Sequence, residues 1–468
     1  MSAIYDGLMY LTGWPLAVIL IAGGLYFTAR TGFLQLNMLR ESFRVIFEKP
    51  QIPGRMSSFS ALMISTASRV GPGNIIGVST ALCIGGAGSV FWMWLTALIG
   101  GASAFAESTL AQIYKRKNPD GSCYGGPAFY IETACRSKFL AVIFAIALVA
   151  AYGIGDNMLT SYNLQSSFQN FAFYQENSRW ITWFFGAVIA TCFLLTILGG
   201  GTRIAKANCI IVPVMGIFYI LITAIALYIN FRNIPGMFME IFRSAFDFKA
   251  IFGGFTGSAL IMGMKRGLYS NEAGVGSAPN AAAAAEVSHP VKQGLVQMLS
   301  VFIDTHLICT ATALMCLSSG VVPTKELTGA PFVLQALQET FGIMGPLFIV
   351  LAMVLFSFTT LLGNFYYVEN NFACIFGRQP GKISLLLIRI AGAVLIFFGA
   401  SMKLDVAWNI TDITLCILAF INIPVCIIIG GTACQALKHY REQLKSGKDP
   451  VFRAEDIGLR QSTDFWHG

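Results

Sequence analysis

Apolar segments of membrane-spanning length follow one another along almost the whole chain. A helix that crosses a bilayer needs about 20 largely apolar residues, and eleven segments of this 468-residue sequence meet that requirement. Only 12% of the residues are charged, whereas soluble domains carry about 25% charged residues. Such a chain has too few charges to cover a surface in water. We therefore predict an all-α polytopic membrane protein, which excludes soluble enzymes and nucleic-acid-binding proteins.

The predicted spans are numbered from an extra N-terminal helix, helix 0, which lacks the basic stretch that opens a signal peptide and is expected to be a retained anchor. Helices 0 to 10 are expected near Trp14–Thr28, Ser58–Cys83, Val90–Tyr114, Phe139–Tyr162, Trp180–Leu198, Asn208–Phe231, Ile251–Ala284, Val296–Ser318, Met344–Phe372, Ile383–Ser401 and Val406–Gly430. The polar tail after Thr432 is expected to be short and partly disordered.

The basic residues predict the orientation of the chain. Of the 31 Lys and Arg residues, 21 fall in segments on one side of the spans, 6 fall on the other side, and four lie within spans. Because short cytoplasmic loops carry the excess of Lys and Arg, we expect the N-terminus outside and the C-terminus inside. The net charge of +8 is thus explained by the orientation of the chain in the membrane and does not indicate an acidic partner.

The sequence also repeats itself weakly. A shift of 197 residues aligns, without a gap, Arg69 with Arg266, Asn74 with Asn271, Gly77 with Gly274, Val78 with Val275, Ala81 with Ala278, Glu107 with Asp304 and Ser108 with Thr305. Chance supplies part of such a match, since Gly and Ala are common in membrane spans. Helices 1 and 6 would start on opposite sides, as in the inverted repeats of secondary transporters. The expected organisation is residues 1–57 for helix 0 and a basic loop, 58–231 for helices 1–5, 232–431 for helices 6–10 and 432–468 for a cytoplasmic tail.

Two spans contain residues that interrupt helices. In helix 1, Gly71-Pro72-Gly73 removes a backbone N–H and adds backbone freedom. Freed backbone groups in a bilayer are tolerated only against protein or a water-filled cavity. The segment is therefore either an unwound ligand site, with carbonyls toward a cation and N–H groups toward an anion, or a kink used for packing.

Helix 6 carries three charges, Lys265, Arg266 and Glu272, together with three glycines in an apolar span. Charges within a bilayer usually face a cavity or one another, so a structural pair between Arg266 and Glu272 is one explanation. Breaks at equivalent positions of helices 1 and 6 favour a binding site near the midplane instead.

Other polar residues leave two interpretations open. The hydroxyls of Ser357, Thr359 and Thr360 on helix 8 suit a small cation, although such hydroxyls often bond the carbonyls of their own helix. On helix 7, Asp304 and His306 belong either to a buried polar pair or to a proton relay. The motifs of zinc hydrolases, serine hydrolases and nucleotide-binding loops are absent, and the eleven cysteines form no C-x-x-C pair. No enzyme activity and no cofactor are expected.

Four stretches, Arg69–Ala81, Gly85–Gly100, Gly125–Tyr130 and Lys265–Ala285, make the sequence similar to the alanine or glycine:cation symporter family of the amino acid–polyamine–organocation group. The resemblance implies a leucine-transporter-like 5+5 inverted repeat with broken helices 1 and 6. It also implies sodium-driven import of small neutral amino acids across the inner membrane of a prokaryote by a monomer, with sodium as the coupling ion.

The same resemblance implies a set of site residues. The substrate would be bound by Gly71, Gly73, Asn74, Thr160, Tyr269, Asn271 and Asn364, and sodium by the carbonyls of Ala67 and Val70 with the hydroxyls of Thr359 and Thr360.

Three departures from the family pattern affect these expectations. Pro72 replaces a common Thr or Ser and removes one N–H, Thr160-Ser161-Tyr162 replaces a frequent Gln-Ala-Asn, and Asn364 replaces a common Trp. A roomier, more polar pocket gives weight to an amide-bearing substrate such as glutamine, beside alanine and glycine. The alternatives are a proton-coupled carrier, with Glu107, Glu272 and Asp304 as relay candidates, and an amino acid sensor or channel of the same fold.

Overall fold

The computed structural model describes residues 2–50, 52–169, 171–177, 180–247, 258–459 and 463–466. In these residues, 8 helices are long and apolar enough to cross a membrane: Asp6–Thr31, Gly88–Ile113, Lys138–Ser166, Gly200–Ile229, Pro290–Ser318, Met344–Phe376, Lys382–Gly399 and Leu404–Ile429. Pro72–Gly85 and Ile181–Ile197 are shorter apolar helices. One small antiparallel ladder joins Arg116–Lys117 to Cys123–Tyr124.

Each predicted span contains a helix, so their numbers are kept. Helix 0 is Trp14–Thr31, helix 2 Gly88–Ile113, helix 4 Ile181–Ile197, helix 5 Gly200–Ile229, helix 8 Met344–Phe376, helix 9 Lys382–Gly399 and helix 10 Leu404–Ile429. Helix 5 begins before the predicted Asn208, so Arg203 and Lys206 are helical and not in a loop. The predicted start of helix 6, Ile251, lies outside the described residues.

Shorter helices connect or precede these spans. They are Ser2–Leu11, Leu34–Asn37, Leu39–Ile46, Pro127–Ala134, Ala172–Glu176, Ile234–Ala245 and Ala330–Phe341.

Helix 1 is broken where its sequence predicts. Helix 1a, Ser58–Arg69, is capped by the Ser57 hydroxyl, and a 3₁₀ turn, Pro72–Asn74, leads into helix 1b, Ile76–Gly85. Between the two halves, Val70 and Gly71 are non-helical.

Helix 6 is broken by a run of left-handed residues. Helix 6a, Ala259–Asn271, ends at Glu272, whose φ is 54°. Gly274 and Gly276 both have φ of 87°, a conformation that glycine adopts without steric cost. Helix 6b resumes at Pro279–Ala284. Left-handed residues at Glu272, Gly274 and Gly276 therefore interrupt this helix within the protein.

Two further spans contain a π-helical segment, which the sequence analysis did not anticipate. Helix 3 runs Lys138–Leu148, then π-helical Val149–Asp156, then Asn157–Ser166. Helix 7 runs Pro290–Val301, then π-helical Phe302–Cys309, then Thr310–Ser318. Such wide turns are rare and frequently lie at functional sites.

The broken segments lie at the centre of the helix packing. Helix 2 packs along helices 6a and 7, helix 8 packs on helix 1a, and helix 10 packs on the π segment of helix 3. Gly363 allows the close contact between helices 8 and 1a, because a Cβ there would lie 2.7 Å from the Ser68 nitrogen.

The prediction of a partly disordered tail is wrong for its described part. Gly431–Lys445 is helical, and the residues that follow it dock on the protein. The Phe452 N–H donates to the Ser288 carbonyl at 3.0 Å, and the Trp466 indole donates to the Gln112 carbonyl at 2.7 Å. The Lys115 ammonium lies 3.8 Å from the Phe465 ring centre. A few aromatic residues within a polar segment therefore anchor it to the protein.

Candidate functional site

The two broken segments touch each other. The ring of Tyr269, on helix 6a, lies against Gly73, where a Cβ would be 2.5 Å from a ring carbon. Gly71 contacts the Thr360 hydroxyl in the same close manner. Only glycine fits at these two positions without a shift of the neighbouring side chain, so the glycines of helix 1 permit close approach as well as unwinding.

Two of the four predicted sodium ligands are in direct contact. The Thr360 hydroxyl donates to the Ala67 carbonyl at 3.0 Å, joining helix 8 to helix 1a. The Thr359 hydroxyl instead donates to the Leu355 and Phe356 carbonyls of its own helix, both at 3.0 Å. Val70 is buried at the end of helix 1a.

The predicted substrate residue Asn74 is held by both helix 1 and helix 7. Its Oδ1 accepts from the Gly71 N–H at 2.8 Å, and its Nδ2 donates to Asp304 Oδ1 at 2.7 Å. The other Asp304 oxygen accepts from the Ser270 hydroxyl at 2.7 Å. Asp304 therefore links the broken helices 1 and 6, while His306 stacks on the Phe302 ring at 4.8 Å.

Asn271 is also tied to helix 7 and to its own break. Its Nδ2 donates to the Thr305 hydroxyl at 3.1 Å, and its Oδ1 accepts from the Ala273 N–H at 3.1 Å. Thr160, on helix 3, is fully buried, and its hydroxyl has no hydrogen-bond partner among the described residues.

Asn364 connects helices 1, 3 and 8. Its Oδ1 accepts from the Ser68 hydroxyl at 2.6 Å, and its Nδ2 donates to Asp156 Oδ2 at 2.6 Å. The second Asp156 oxygen accepts from the Tyr269 hydroxyl at 2.6 Å. Asp156 is not among the site residues predicted from the sequence, although it is the one acidic residue of helix 3 and a charge within a span is itself a signal.

The predicted alternative of an Arg266–Glu272 pair is wrong. Arg266 lies 3.1 Å and Lys265 lies 3.2 Å from Asp412 of helix 10, and the Arg266 guanidinium covers the Trp408 ring at 3.9 Å. Helix 6a ends before Glu272, and the left-handed conformation of this residue directs its carboxylate toward helix 1 instead.

Glu272 faces Arg69, the last residue of helix 1a. Its Oε2 lies 4.0 Å from Arg69 Nε, and its oxygens accept from the hydroxyls of Ser68 at 3.1 Å and Ser277 at 2.5 Å. Arg69 also donates to the Gln297 carbonyl at 3.3 Å.

Negative charge exceeds positive charge around the breaks. Within the described part of the chain, the buried carboxylates of Glu107, Asp156, Glu272 and Asp304 are grouped with one guanidinium, that of Arg69. A buried carboxylate without a counter-charge is costly, and a bound cation or a proton relieves that cost. The arrangement can therefore hold a small cation beside the carbonyl and hydroxyl oxygens of helices 1 and 8.

Comparison with known proteins identifies similar chains. A family model described as the sodium:alanine symporter family matches residues 2–454. The probable sodium/glutamine symporter GlnT of Bacillus subtilis is 38% identical over 453 residues, which cover 96% of this chain and 93% of GlnT. The sodium/alanine symporter AgcS of Methanococcus maripaludis is 36% identical over 448 residues, covering 93% and 96%.

A solved structure has a similar fold. The crystal structure of MhsT in complex with L-phenylalanine matches with a TM-score of 0.56 at 15% identity, covering 83% of this chain and 93% of that chain. At that level of identity the likeness concerns the fold alone, and it is the leucine-transporter fold expected from the sequence.

Proposed function

Because this chain belongs to the sodium:alanine symporter family, which comprises transporters and not enzymes, we propose that it is a sodium-coupled symporter of small neutral amino acids. It is a multi-pass membrane protein. The observation that carries the proposal is the hydrogen bond between the Thr360 hydroxyl and the Ala67 carbonyl. This pair lies beside the unwound segment of helix 1, where buried carboxylates outnumber buried cations. Hydroxyl and carbonyl oxygens are the ligands that small hard cations prefer.

In the proposed mechanism, sodium binds at the junction of helices 1 and 8, through the carbonyls of Ala67 and Val70 and the hydroxyls of Thr359 and Thr360. The ion fixes the unwound segment in the geometry that binds substrate. Coupling requires only that sodium and the amino acid favour the same conformation. Moving one Na⁺ with a neutral zwitterion across 100 mV supplies about 2.3 kcal/mol, to which the sodium gradient adds.

The proposed substrate site surrounds the contact between helices 1 and 6. Gly71, Gly73 and Asn74 would receive the carboxylate, with Thr160, Tyr269, Asn271 and Asn364 around the rest of the amino acid. Two relatives bear names that specify alanine and glutamine, so we propose alanine or glycine as substrate, with glutamine as the larger candidate admitted by Asn364.

We further propose an inverted repeat of residues 58–231 and 232–431, preceded by helix 0 with its basic loop (1–57) and followed by a cytoplasmic tail (432–468). The carboxylates at the aligned positions support it: Asp304 accepts from Asn74 in the break of helix 1, and Glu107 accepts from Gly274 in the break of helix 6 at 3.4 Å. The carrier would work as a monomer in the inner membrane of a prokaryote, with its N-terminus outside.

The test is uptake of labelled alanine, glycine and glutamine into proteoliposomes under an imposed sodium gradient. Accumulation of at least one of them that depends on sodium is expected, and no uptake with or without sodium would refute the proposal. Uptake driven by a pH gradient without sodium would identify a proton-coupled carrier. This second candidate is favoured by the carboxylates of Glu107 and Asp304, which form no ion pair with the described residues. Saturable binding without accumulation would identify a sensor.

Neighbouring hydroxyls of helix 8 provide a matched pair of variants. Thr360→Val removes the hydroxyl that reaches Ala67, whereas Thr359→Val removes one bonded to its own helix. We expect the half-saturating sodium concentration to rise about tenfold or more in the first variant and less in the second. Asn364→Trp should leave sodium dependence in place and exclude glutamine before alanine.

A further inference from the structure

Asp156 is a buried carboxylate of helix 3 that has no basic partner among the described residues. It is the last residue of the π segment of helix 3, and 6% of the residue is exposed. Among the described residues, no Lys, Arg or His nitrogen lies within 4.0 Å of its oxygens. Its carboxylate therefore offers negative charge that the protein itself does not neutralise.

The two side-chain hydrogen bonds that the described residues donate to Asp156 come from residues of the proposed substrate site. Tyr269 donates its hydroxyl to one carboxylate oxygen, and Asn364 donates its amide to the other. The edge of the Tyr269 ring rests on Gly73, so the width of one tyrosine ring separates Asp156 from the unwound segment of helix 1. An amino acid could lie across that ring with its carboxylate at helix 1.

Polar atoms beside Asp156 are also unsatisfied. The Asn157 Nδ2 and the Thr160 hydroxyl are buried and have no hydrogen-bond partner in the described part of the chain. Thr160 follows Asp156 by four residues and so lies on the same face of helix 3. Because buried polar atoms normally find partners, these two atoms indicate that a polar molecule binds on this face.

We propose that Asp156 binds the ammonium group of the transported amino acid, and so makes the carrier selective for amines over hydroxy acids. The inference rests on the proposed function. The ammonium supplies both the counter-charge that Asp156 lacks and hydrogen-bond donors. Tyr269 and Asn364 hold the Asp156 carboxylate in place. The substrate carboxylate binds at the opposite end, near Gly73 and Asn74. The substrate class is thus a zwitterion, recognised at each end by a different helix.

The test compares alanine with lactate, which carries a hydroxyl where alanine carries the ammonium. In sodium-driven proteoliposomes, the wild-type protein is expected to take up alanine and to be inhibited weakly by lactate. Asp156→Asn should raise the KM for alanine by about tenfold to a hundredfold, the value of a charge-assisted hydrogen bond, without a matching change for lactate. Asp156→Glu should restore part of the discrimination.

Asp412→Asn is the matched control, because it removes another buried aspartate charge, one that is paired with Arg266. This variant should leave the ratio of alanine to lactate affinity as in the wild type. A merely structural role of Asp156 would change the affinities for both compounds together and leave that ratio unchanged.

Three results would overturn the inference, and they are distinguishable. If the wild type takes up alanine but Asp156→Asn keeps the wild-type ratio of alanine to lactate affinity, the ammonium site is refuted and the proposed function is not. A changed sodium requirement with unchanged amino acid KM would make Asp156 an ion ligand and refute it as well. Absence of any wild-type uptake removes the proposed function and this inference with it. If Asp156→Asn does not fold, the ratio measured for Asp156→Glu decides.

Discussion

The pair formed by Arg69 and Glu272 joins the ends of the two broken helices, and its removal is a direct test of how the breaks are stabilised. The Arg69 side chain is 0% exposed and that of Glu272 is 3% exposed, with 4.0 Å between Nε and Oε2. The perturbation is Arg69→Met, which keeps an unbranched apolar side chain and removes the charge.

The magnitude follows from the burial of both partners. At about 4 Å and an effective dielectric constant of about 20, two unit charges attract by about 4 kcal/mol. Removing one partner of a buried pair destabilises by about 3–5 kcal/mol, because the other charge stays buried. In Arg69→Met, Glu272 would keep only the hydroxyls of Ser68 and Ser277. The double variant Arg69→Met/Glu272→Gln removes both charges of the pair, so we expect it to lose less stability than Arg69→Met.

The assay is thermal unfolding of the purified protein in detergent, with the four proteins of the cycle compared under one protocol. Arg389→Met and Glu369→Gln form the control cycle: that pair joins helices 9 and 8 at 2.6 Å, and its side chains are 13% and 15% exposed. A partly solvated charge leaves a smaller penalty when its partner is removed. The control variants should therefore shift the melting temperature less.

The reasoning would be refuted if Arg69→Met melted no lower than Arg389→Met. It would also be refuted if the double variant lost as much stability as both single variants together, because additive losses mean that the two residues do not interact.

Two further predictions concern the break in helix 1 and the tail. Gly71→Ala places a methyl group against the Thr360 hydroxyl; this should raise the sodium requirement of uptake, whereas Gly216→Ala, with open space at its Cβ position, should not. Burial, with His439 and Lys292 nearby, holds the pKa of His289 well below its usual value. Since His289 is neutral when the tail is docked, docking should be stable above about pH 6.5 and weaken as the pH falls below that value. Protease sensitivity of the tail at pH 5.5 and 7.5 measures this, and His289→Gln should abolish the difference; a tail equally protected at both values would contradict it.

The positions of the helices and of their breaks could be predicted because their causes are local. Apolar length determines where a span lies, and the Gly-Pro-Gly of helix 1 and the glycines of helix 6 interrupt helices by their backbone chemistry alone. The π segments have no such signature, since a wide turn differs from an α turn by one residue and not by composition. Thr359 and Thr360 are likewise neighbours with identical side chains. Their composition does not indicate that Thr360, and not Thr359, reaches Ala67.

The partners of charged residues could not be predicted, because they depend on chain direction after a break. Arg266 and Glu272 are six residues apart in one predicted span, which made them a reasonable pair. The left-handed conformation of Glu272 instead directs its carboxylate to Arg69, some 200 residues earlier in the chain. Long-range pairing of this kind follows from the packing of helices 1 and 6.

Charge within the spans separates structural pairs from candidate functional groups. Each charge retained in an apolar span has an energetic cost, so each is expected to have a partner or a ligand. Arg266 and Lys265 meet Asp412, and Arg389 meets Glu369; each of these charges therefore has an ionic partner within the protein. Asp156, Asp304 and Glu107 have hydrogen-bond donors but no basic residue within 4.0 Å in the described part of the chain. Three carboxylates without cations, all beside broken or π-helical segments, are what a carrier requires if its cations arrive and leave with the substrate.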